Sequence, residues 1–477
     1  MRLILAALLS LVVPCAGAVL PAPVLQALRS ADIPASAMSV VVQAVEGGPA
    51  RISHRATVAM NPASVMKLVT TYAALDSLGP AYAWRTDALM TGRLVNGMLD
   101  GDLWLRGSGD PALSMEQFWL LLRDLRSRGV REIRGDVITD RSIFAATAHD
   151  PGAFDNEPLA AYNVGPDALL LAHNALRIRL LPQSAGSPQL WAEPPLDGVQ
   201  LDNRVQLVDG ECGDWKDSLI AKVISQPGAG AGLTLQIIGR YARDCGERIW
   251  NVAPLPHNEF FARALRAMWT ELGGRIAGRV REGTVPPDAT PLTGIESPPL
   301  AQVIRDINKY SNNVMARQLF LTLGSGNGTP ADTRTADAAI RAWAARRGLA
   351  LPSLVLDNGS GLSRSERLSA ADLASLLRHA WASSVMPEFV SSLPVLAVDG
   401  TLRRRLRNSP ASGQAHLKTG SLADARSIAG YVLDRNGQRV LVVASLNHAN
   451  AKRAQPVLEA LMEWVWSGNR QAFPVTE

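Results

Sequence analysis

The chain has 477 residues, 47% of them hydrophobic and 19% charged, which is the balance of an ordered globular protein of two or three domains and excludes a disordered chain. Its 48 Lys and Arg against 43 Asp and Glu leave a net charge of only +5. Apart from Arg403-Arg404-Arg405 the basic residues are scattered, which excludes the clustered basic and aromatic groove of a nucleic-acid binder.

The first eighteen residues read as a secretory leader. Met1-Arg2 gives a positive start, 3–13 is an apolar run too short to anchor in a bilayer, and Ala16-Gly17-Ala18 fits the small-x-small cleavage pattern. Cleavage is expected near Ala18, with export to the periplasm. Pro14 directly before Cys15 argues against a lipid anchor. No later stretch of eighteen apolar residues follows, so membrane contact is at most peripheral. Loss of Cys15 leaves Cys212 and Cys245, and an oxidising compartment favours a disulfide between them.

A strand is predicted at 38–45 and a second near 50–54, across the turn Glu46-Gly47-Gly48-Pro49. Asn61 and Pro62 suit the N-cap and first position of a helix, which puts Ser64 at its third position. Leu68, Val69, Tyr72, Leu75 and Leu78 recur at helical spacing and mark a core helix, ended by Gly79-Pro80. From 90 to 284 strand-like runs dominate, at 102–106, 176–180, 199–201 and 233–238, with a helix at 115–128; this region reads as a mostly β insert, divisible into two small domains. Helices return from 286. Ser297-Pro298 caps one that stops at Tyr310-Ser311-Asn312-Asn313, and another follows at once. Helical segments run through 368–383. The end of the chain turns back to strands: 416–420, then a hairpin of 427–433 and 439–446 around Asn436-Gly437, before a final helix at 456–466. Stretches 228–232 and 324–328 read as glycine-rich loops. Strands at both ends with helices between them predict an α+β sandwich whose sheet is built from both termini (19–89 and 285–477), interrupted by the 90–284 insert.

Three short segments could carry chemistry. Near a helix start, the Ser64 N–H lacks an intrahelical partner, and Lys67 one turn on shares its face. A serine hydroxyl needs a base, and a lysine can be one if burial or a second cation lowers its pKa. Ser311 and Asn313 sit at a break between helices, where a hydroxyl and an amide can point into a cleft. Lys418-Thr419-Gly420 lies on a strand, with a positive charge, a carboxylate-binding hydroxyl and a position without a side chain for close approach. Each segment alone has a plainer reading as a helix start, a capping serine or an edge-strand charge. In order, they form Ser-x-x-Lys, Ser-x-Asn and Lys-Thr-Gly, the ordered set of penicillin-binding proteins and serine β-lactamases.

The chain resembles the low-molecular-mass class C penicillin-binding proteins, the D-Ala-D-Ala carboxypeptidase and endopeptidase group. The resemblance spans essentially the whole chain after the leader, including the long insert, Gly107-Ser108-Gly109-Asp110-Pro111 within it, and Asp357-Asn358-Gly359-Ser360-Gly361-Leu362-Ser363-Arg364. It implies that Ser64 attacks the carbonyl of a D-Ala-D-Ala bond or of a D-Ala to diamino-acid crosslink. Lys67 would be the general base, Ser311 would pass the proton to the leaving amine, and Asn313 would orient the acyl-side amide. Lys418 and Thr419 would receive the terminal carboxylate beside Gly420, and the N–H groups of Ser64 and Ser421 would form the oxyanion hole. No cofactor or metal is implied, and the expected ligands are peptidoglycan peptides and β-lactams; a homodimer is compatible. The Trp-rich stretch common in the family near 152–158 is absent, and Asp155 is the acidic residue there that the resemblance brings to the substrate. Two rival readings stay open: a serine β-lactamase with the same motifs, and a catalytically silent cell-wall-binding protein of the same fold.

Overall fold

Residues from both ends of the chain share one five-stranded sheet. Its strands lie in the order Ile52–His54, Met38–Ala44, Arg439–Asn447, Ala425–Leu433 and Ala415–Ser421, every pair antiparallel. The computed structural model describes residues 20–184, 186–225, 232–326 and 328–468. The leader expected at 1–18 and parts of the stretches 228–232 and 324–328 lie outside them.

Alternation along these strands feeds two cores, because successive side chains leave opposite faces of a sheet. Val40, Val42, Val440 and Val442 face one core, shared with the helices Ala22–Ser30 and Gln455–Trp466. Val41, Leu441, Val443 and Tyr431 face the other. There the helices Lys67–Leu78, Leu300–Tyr310, Asn313–Gly324, Thr333–Arg346 and Ala370–Trp381 pack together. The result is the expected α+β sandwich. The Lys67–Leu78 helix runs through the middle of the second core, and every residue from Lys67 to Leu75 is buried. Its Tyr72 ring meets Trp343 edge-on at 5.4 Å and Phe389 at 5.2 Å.

The middle of the chain has a separate core, as an inserted domain requires. Phe118, Leu121 and Leu122 of the helix Met115–Ser127 and Phe260, Phe261 and Trp269 of the helix His257–Glu271 are buried within it. Its strands begin before 90 and end after 284: Arg85–Met90 pairs with Thr290–Glu296 and closes the neck of the excursion. The closing strand is only partly buried, so its sequence lacks the apolar alternation that marks a strand. The runs seen at 199–201 and 233–238 extend to Val199–Val208 and Leu233–Ala242, and these two pair in parallel. Just beyond their C-terminal ends, Cys212 and Cys245 form a disulfide.

The insert is fastened to the helix Asn313–Gly324 by two buried side chains. Gln318 donates from Nε2 to Gly109 O (3.1 Å) and Asp167 O (2.7 Å) and accepts from Asp167 N through Oε1 (2.7 Å). Arg317 donates to Asn163 O (3.2 Å) and Val164 O (2.9 Å). The Gly107–Pro111 segment therefore meets the sandwich through its backbone. Gln318→Ala leaves these groups buried without partners. It is expected to lower stability by about 1–3 kcal/mol, read as a lower urea midpoint; an unchanged midpoint would contradict this account of the docking.

Candidate active site

The site begins with Asn61, which ties three pieces of chain together. Its N–H donates to Asn447 Oδ1 (2.8 Å), its Nδ2 donates to Ser363 O (2.9 Å), and its Oδ1 accepts from Ala63 N (2.9 Å). After Pro62 the backbone turns through Ala63 at φ +48°, a left-handed conformation uncommon for a residue with a Cβ. The chain then makes the 3-10 turn Ala63–Met66 before the α-helix starts at Lys67. Ser64 thus sits in a tight turn at the mouth of the helix and not at the third position of an α-helix capped by Asn61. The sequence signal for a cap was right about Asn61 accepting from the backbone but misplaced the first α-helical turn.

Lys67 lies fully buried against this turn. Its Nζ contacts Ser64 Oγ at 3.0 Å, Asn313 Oδ1 at 2.7 Å and the carbonyl of Ser360. Its pKa falls well below 10.5, first because burial disfavours the charge, and then because Lys418 and Arg317 add positive potential; Glu366 acts in the opposite sense. Lys418 is also fully buried, and its Nζ contacts Ser311 Oγ (2.8 Å) and Thr419 O (2.7 Å). Burial pushes it down to about 7.

Ser311 is held by a helix break. The helix Leu300–Tyr310 ends with Ser311 in the left-handed region (φ 57°, ψ 37°), and Asn312 then caps the next helix by accepting from Met315 N (3.1 Å). Ser311 is therefore free of the capping task, and Asn313 opens the second helix with its amide turned to Lys67. The preceding helix is pinned by Asn308, whose Nδ2 donates to Ser392 Oγ (2.9 Å), and by the Lys309–Asp399 ion pair (2.6 Å). Ser297, expected as a cap, instead accepts from Trp84 N and donates to Pro298 O.

Lys418 comes from the edge strand of the sheet. Leu417 N donates away from the sheet, to Pro394 O (2.9 Å). By the two-residue period of a strand, the N–H groups of Thr419 and Ser421 point to the same open side. Thr419 Oγ1 lies 2.8 Å from Thr401 Oγ1. A Cβ added at Gly420 would lie 2.6 Å from Pro62 O and 3.1 Å from Ser64 N, so only glycine lets this strand approach the Ser64 turn.

The structure brings Ser64, Lys67 and Asn313 into one hydrogen-bonded set and Ser311 and Lys418 into a second, close enough for Lys418 to act electrostatically on Lys67, with Thr419, Gly420 and Ser421 continuing the strand of Lys418. Among the described residues Asp155 forms no hydrogen bond with these side chains. Its oxygens accept from Tyr162 Oη (2.8 Å), Asn163 Nδ2 (2.8 Å) and Glu157 N (3.2 Å), all within the insert. Tyr162, one of these partners, lines a cleft of about 1300 Å³ together with Tyr310, Ser311 and Asn313. The same insert segment sends Phe154 against Ala63 and Leu422, under the guanidinium of Arg364 at 4.3 Å. Neither aromatic carries a sequence signal, because a lone Phe or Tyr in a loop has no periodicity to read. Among the described residues no group of three or more His, Cys, Asp or Glu could hold a metal ion, and no helix is long and apolar enough to cross a membrane.

Residues 21–466 match the D-Ala-D-Ala carboxypeptidase 3 (S13) family. The D-alanyl-D-alanine carboxypeptidase DacB of Haemophilus influenzae is 25% identical over 392 residues, covering 81% of this chain and 80% of that protein. A D-alanyl-D-alanine carboxypeptidase of Actinomadura sp. strain R39 is 27% identical over 407 residues, covering 81% and 73%. The crystal structure of penicillin binding protein 4 (dacB) from Haemophilus influenzae superposes with a TM-score of 0.75 at 23% identity, over 90% of this chain and 96% of that one, and so shares the fold.

The Ser64 turn generates a direct prediction. A methyl at Gly361 (φ +80°) would lie 1.9 Å from Ala63 O and 2.6 Å from Ser64 N. Gly361→Ala is expected to displace the turn and slow labelling of Ser64 by a fluorescent penicillin by about 100-fold. Labelling at the unaltered rate would show that the loop does not set the nucleophile's position.

Proposed function

The chain belongs to the D-Ala-D-Ala carboxypeptidase 3 (S13) family, and from that premise we propose that it hydrolyses D-Ala-D-Ala bonds of peptidoglycan stem peptides through an acyl-enzyme on Ser64. The observation that carries this reading is the position of Lys67 Nζ, between Ser64 Oγ (3.0 Å) and Asn313 Oδ1 (2.7 Å), with Lys418 on Ser311 nearby.

The chemistry follows from counting donors. A neutral amine has two N–H bonds and one lone pair. The Asn313 amide oxygen and the Ser360 carbonyl only accept, so they take the two N–H bonds. The lone pair is left for the hydroxyl of Ser64. Lys67 then removes the Ser64 proton as Oγ attacks the substrate carbonyl, and the new ammonium has three acceptors waiting. Two amines this close and this buried cannot both be charged cheaply. Lys67 carries the neutral role and Lys418 the cationic one, receiving the substrate carboxylate with Thr419. Ser311 passes its proton to the departing D-Ala amine and takes one back from Lys418, which donates to it, while the proton gained by Lys67 makes up that loss within the pair of amines. The Ser64 and Ser421 N–H groups stabilise the tetrahedral oxyanion, and water then hydrolyses the ester.

The same site suits a crosslink in which the leaving amine belongs to a diamino acid, so the reading includes D,D-endopeptidase activity. It also includes acylation by β-lactams, which present a carboxylate beside a strained amide; a complex of the Haemophilus penicillin binding protein 4 with a β-lactam supports that ligand class. The reading places the protein outside the cytoplasm, with the leader removed near Ala18, and the Cys212–Cys245 disulfide suits such a compartment.

Fluorescent penicillin is expected to label the wild type and not Ser64→Ala, while Lys67→Ala lowers acylation by about 10²–10⁴-fold. An unlabelled wild type would end the proposal. Digestion of crosslinked and uncrosslinked muropeptides separates the two activities: release of D-Ala with crosslinks left intact would remove the endopeptidase part. The acylation rate constant per molar penicillin should rise with pH as Lys67 loses its proton, well below 10.5, and fall as Lys418 loses its own near 7. A profile that rises only near pH 10 would rule out Lys67 as a base tuned by burial.

A further inference from the structure

We infer that Glu366 is a positioning residue for the catalytic base: it ties the loop 357–361 into the one shape that offers the Ser360 carbonyl to Lys67. The inference rests on the reading of Lys67 as the base of a serine acyl-transfer enzyme. It gives a task to a segment that the three catalytic motifs leave unused.

The carboxylate of Glu366 is buried and gathers three consecutive backbone donors on one oxygen. Oε1 accepts from Asp357 N (3.3 Å), Asn358 N (3.1 Å) and Gly359 N (2.8 Å). Three N–H groups converging on one acceptor force the chain into a tight curl, which Gly359 (φ +68°) and Gly361 (φ +80°) allow. The Asn358 side chain closes the curl, accepting from Ser360 N (3.0 Å) and donating to Leu362 O (2.9 Å). The outer side of the curl faces the nucleophile helix. Gly359 O accepts from Thr70 Oγ1 (2.7 Å), Ser360 O accepts from Lys67 Nζ, and Ser363 O accepts from Asn61 Nδ2 (2.9 Å). Gly361 packs directly on Ala63 and Ser64.

Glu366 touches neither Ser64 nor Lys67 by a hydrogen bond. It acts through the loop. Without its anchor, the loop keeps only the bonds made by Asn358, Thr70 and Asn61, and the Ser360 carbonyl, one of the two acceptors that turn the lone pair of Lys67 toward Ser64, is held less tightly. The charged groups that act on Lys67 are Lys418, Arg317 and Glu366, and those on Glu366 include Asp357. Glutamine can take over the anchoring role, because its carbonyl oxygen accepts the same three N–H groups. Its amide nitrogen falls where Oε2 lies, and Oε2 has no hydrogen-bond partner among the described residues.

The test is stopped-flow acylation by penicillin, resolved into the noncovalent dissociation constant and the first-order acylation constant, on folded protein checked by thermal melting. Glu366→Ala should leave the dissociation constant near its wild-type value and lower the first-order constant by about 100-fold. Glu366→Gln should recover most of that loss. A loss that appears only in thermal stability, or a Gln variant no faster than Ala, would overturn the inference. Should Glu366→Ala not fold, Thr70→Val loosens the same loop from the other side and should lower the first-order constant in the same sense; an unchanged constant would likewise overturn it. A wild type that is not acylated at all would instead defeat the underlying reading of Ser64 and Lys67.

Discussion

Two lysine amines, Lys67 and Lys418, are buried in one cluster, and among the described residues neither forms an ion pair with a carboxylate. Burying two cations unpaired is costly, and the protein answers by letting their protons go at lower pH and by surrounding the amines with neutral acceptors. The five acceptors come from four stretches of chain. Ser64 comes from the turn after the first strands, Ser311 and Asn313 from a break between helices, Ser360 from a curled loop, and Thr419 from the edge strand. The fold can be understood as the scaffold that holds these stretches within hydrogen-bond distance of two nitrogen atoms.

That demand explains several local costs. Ala63 and Ser311 both occupy left-handed backbone conformations without being glycine. In each case the left-handed turn places a hydroxyl of the candidate site: Ala63 lifts the Ser64 turn, and Ser311 ends one helix so that Asn313 can start another. Gly361 and Gly420 let two chain segments come within contact of the Ser64 backbone. The all-antiparallel sheet built from both chain termini supplies a rigid edge for Lys418, and the insert is joined to the helix Asn313–Gly324 by Arg317 and Gln318.

Much of this was legible in the sequence because it is written in local patterns. Alternation gave the terminal strands, helical spacing gave the Lys67–Leu78 helix, and the order of three short motifs named Ser64, Lys67, Ser311, Asn313 and Lys418. What was not legible depends on contacts across long separations. The contacts that Tyr162 and Asn163 make with the carboxylate of Asp155 have no pattern in the sequence. Glu366 carries no sequence signal, since nothing in its neighbours announces three backbone donors on one oxygen. The start of the catalytic helix was misplaced because Asn61 and Pro62 favour an α-helical first turn, while the packing of Gly361 and Gly420 against the turn goes with a 3-10 one. The neck strands of the insert were passed over because a half-exposed strand has little apolar alternation.

Lys67 must be neutral when Ser64 reacts if it is to take the Ser64 proton. The chain has only six lysines, at positions 67, 216, 222, 309, 418 and 452, so a protein labelled with carbon-13 at the lysine ε position gives few signals, assigned by Lys→Arg variants. Titration of the Lys67 signal is the most direct measurement. The account predicts a midpoint well below the ordinary lysine value of 10.5. A Lys67 signal that stays protonated up to pH 10 would contradict it.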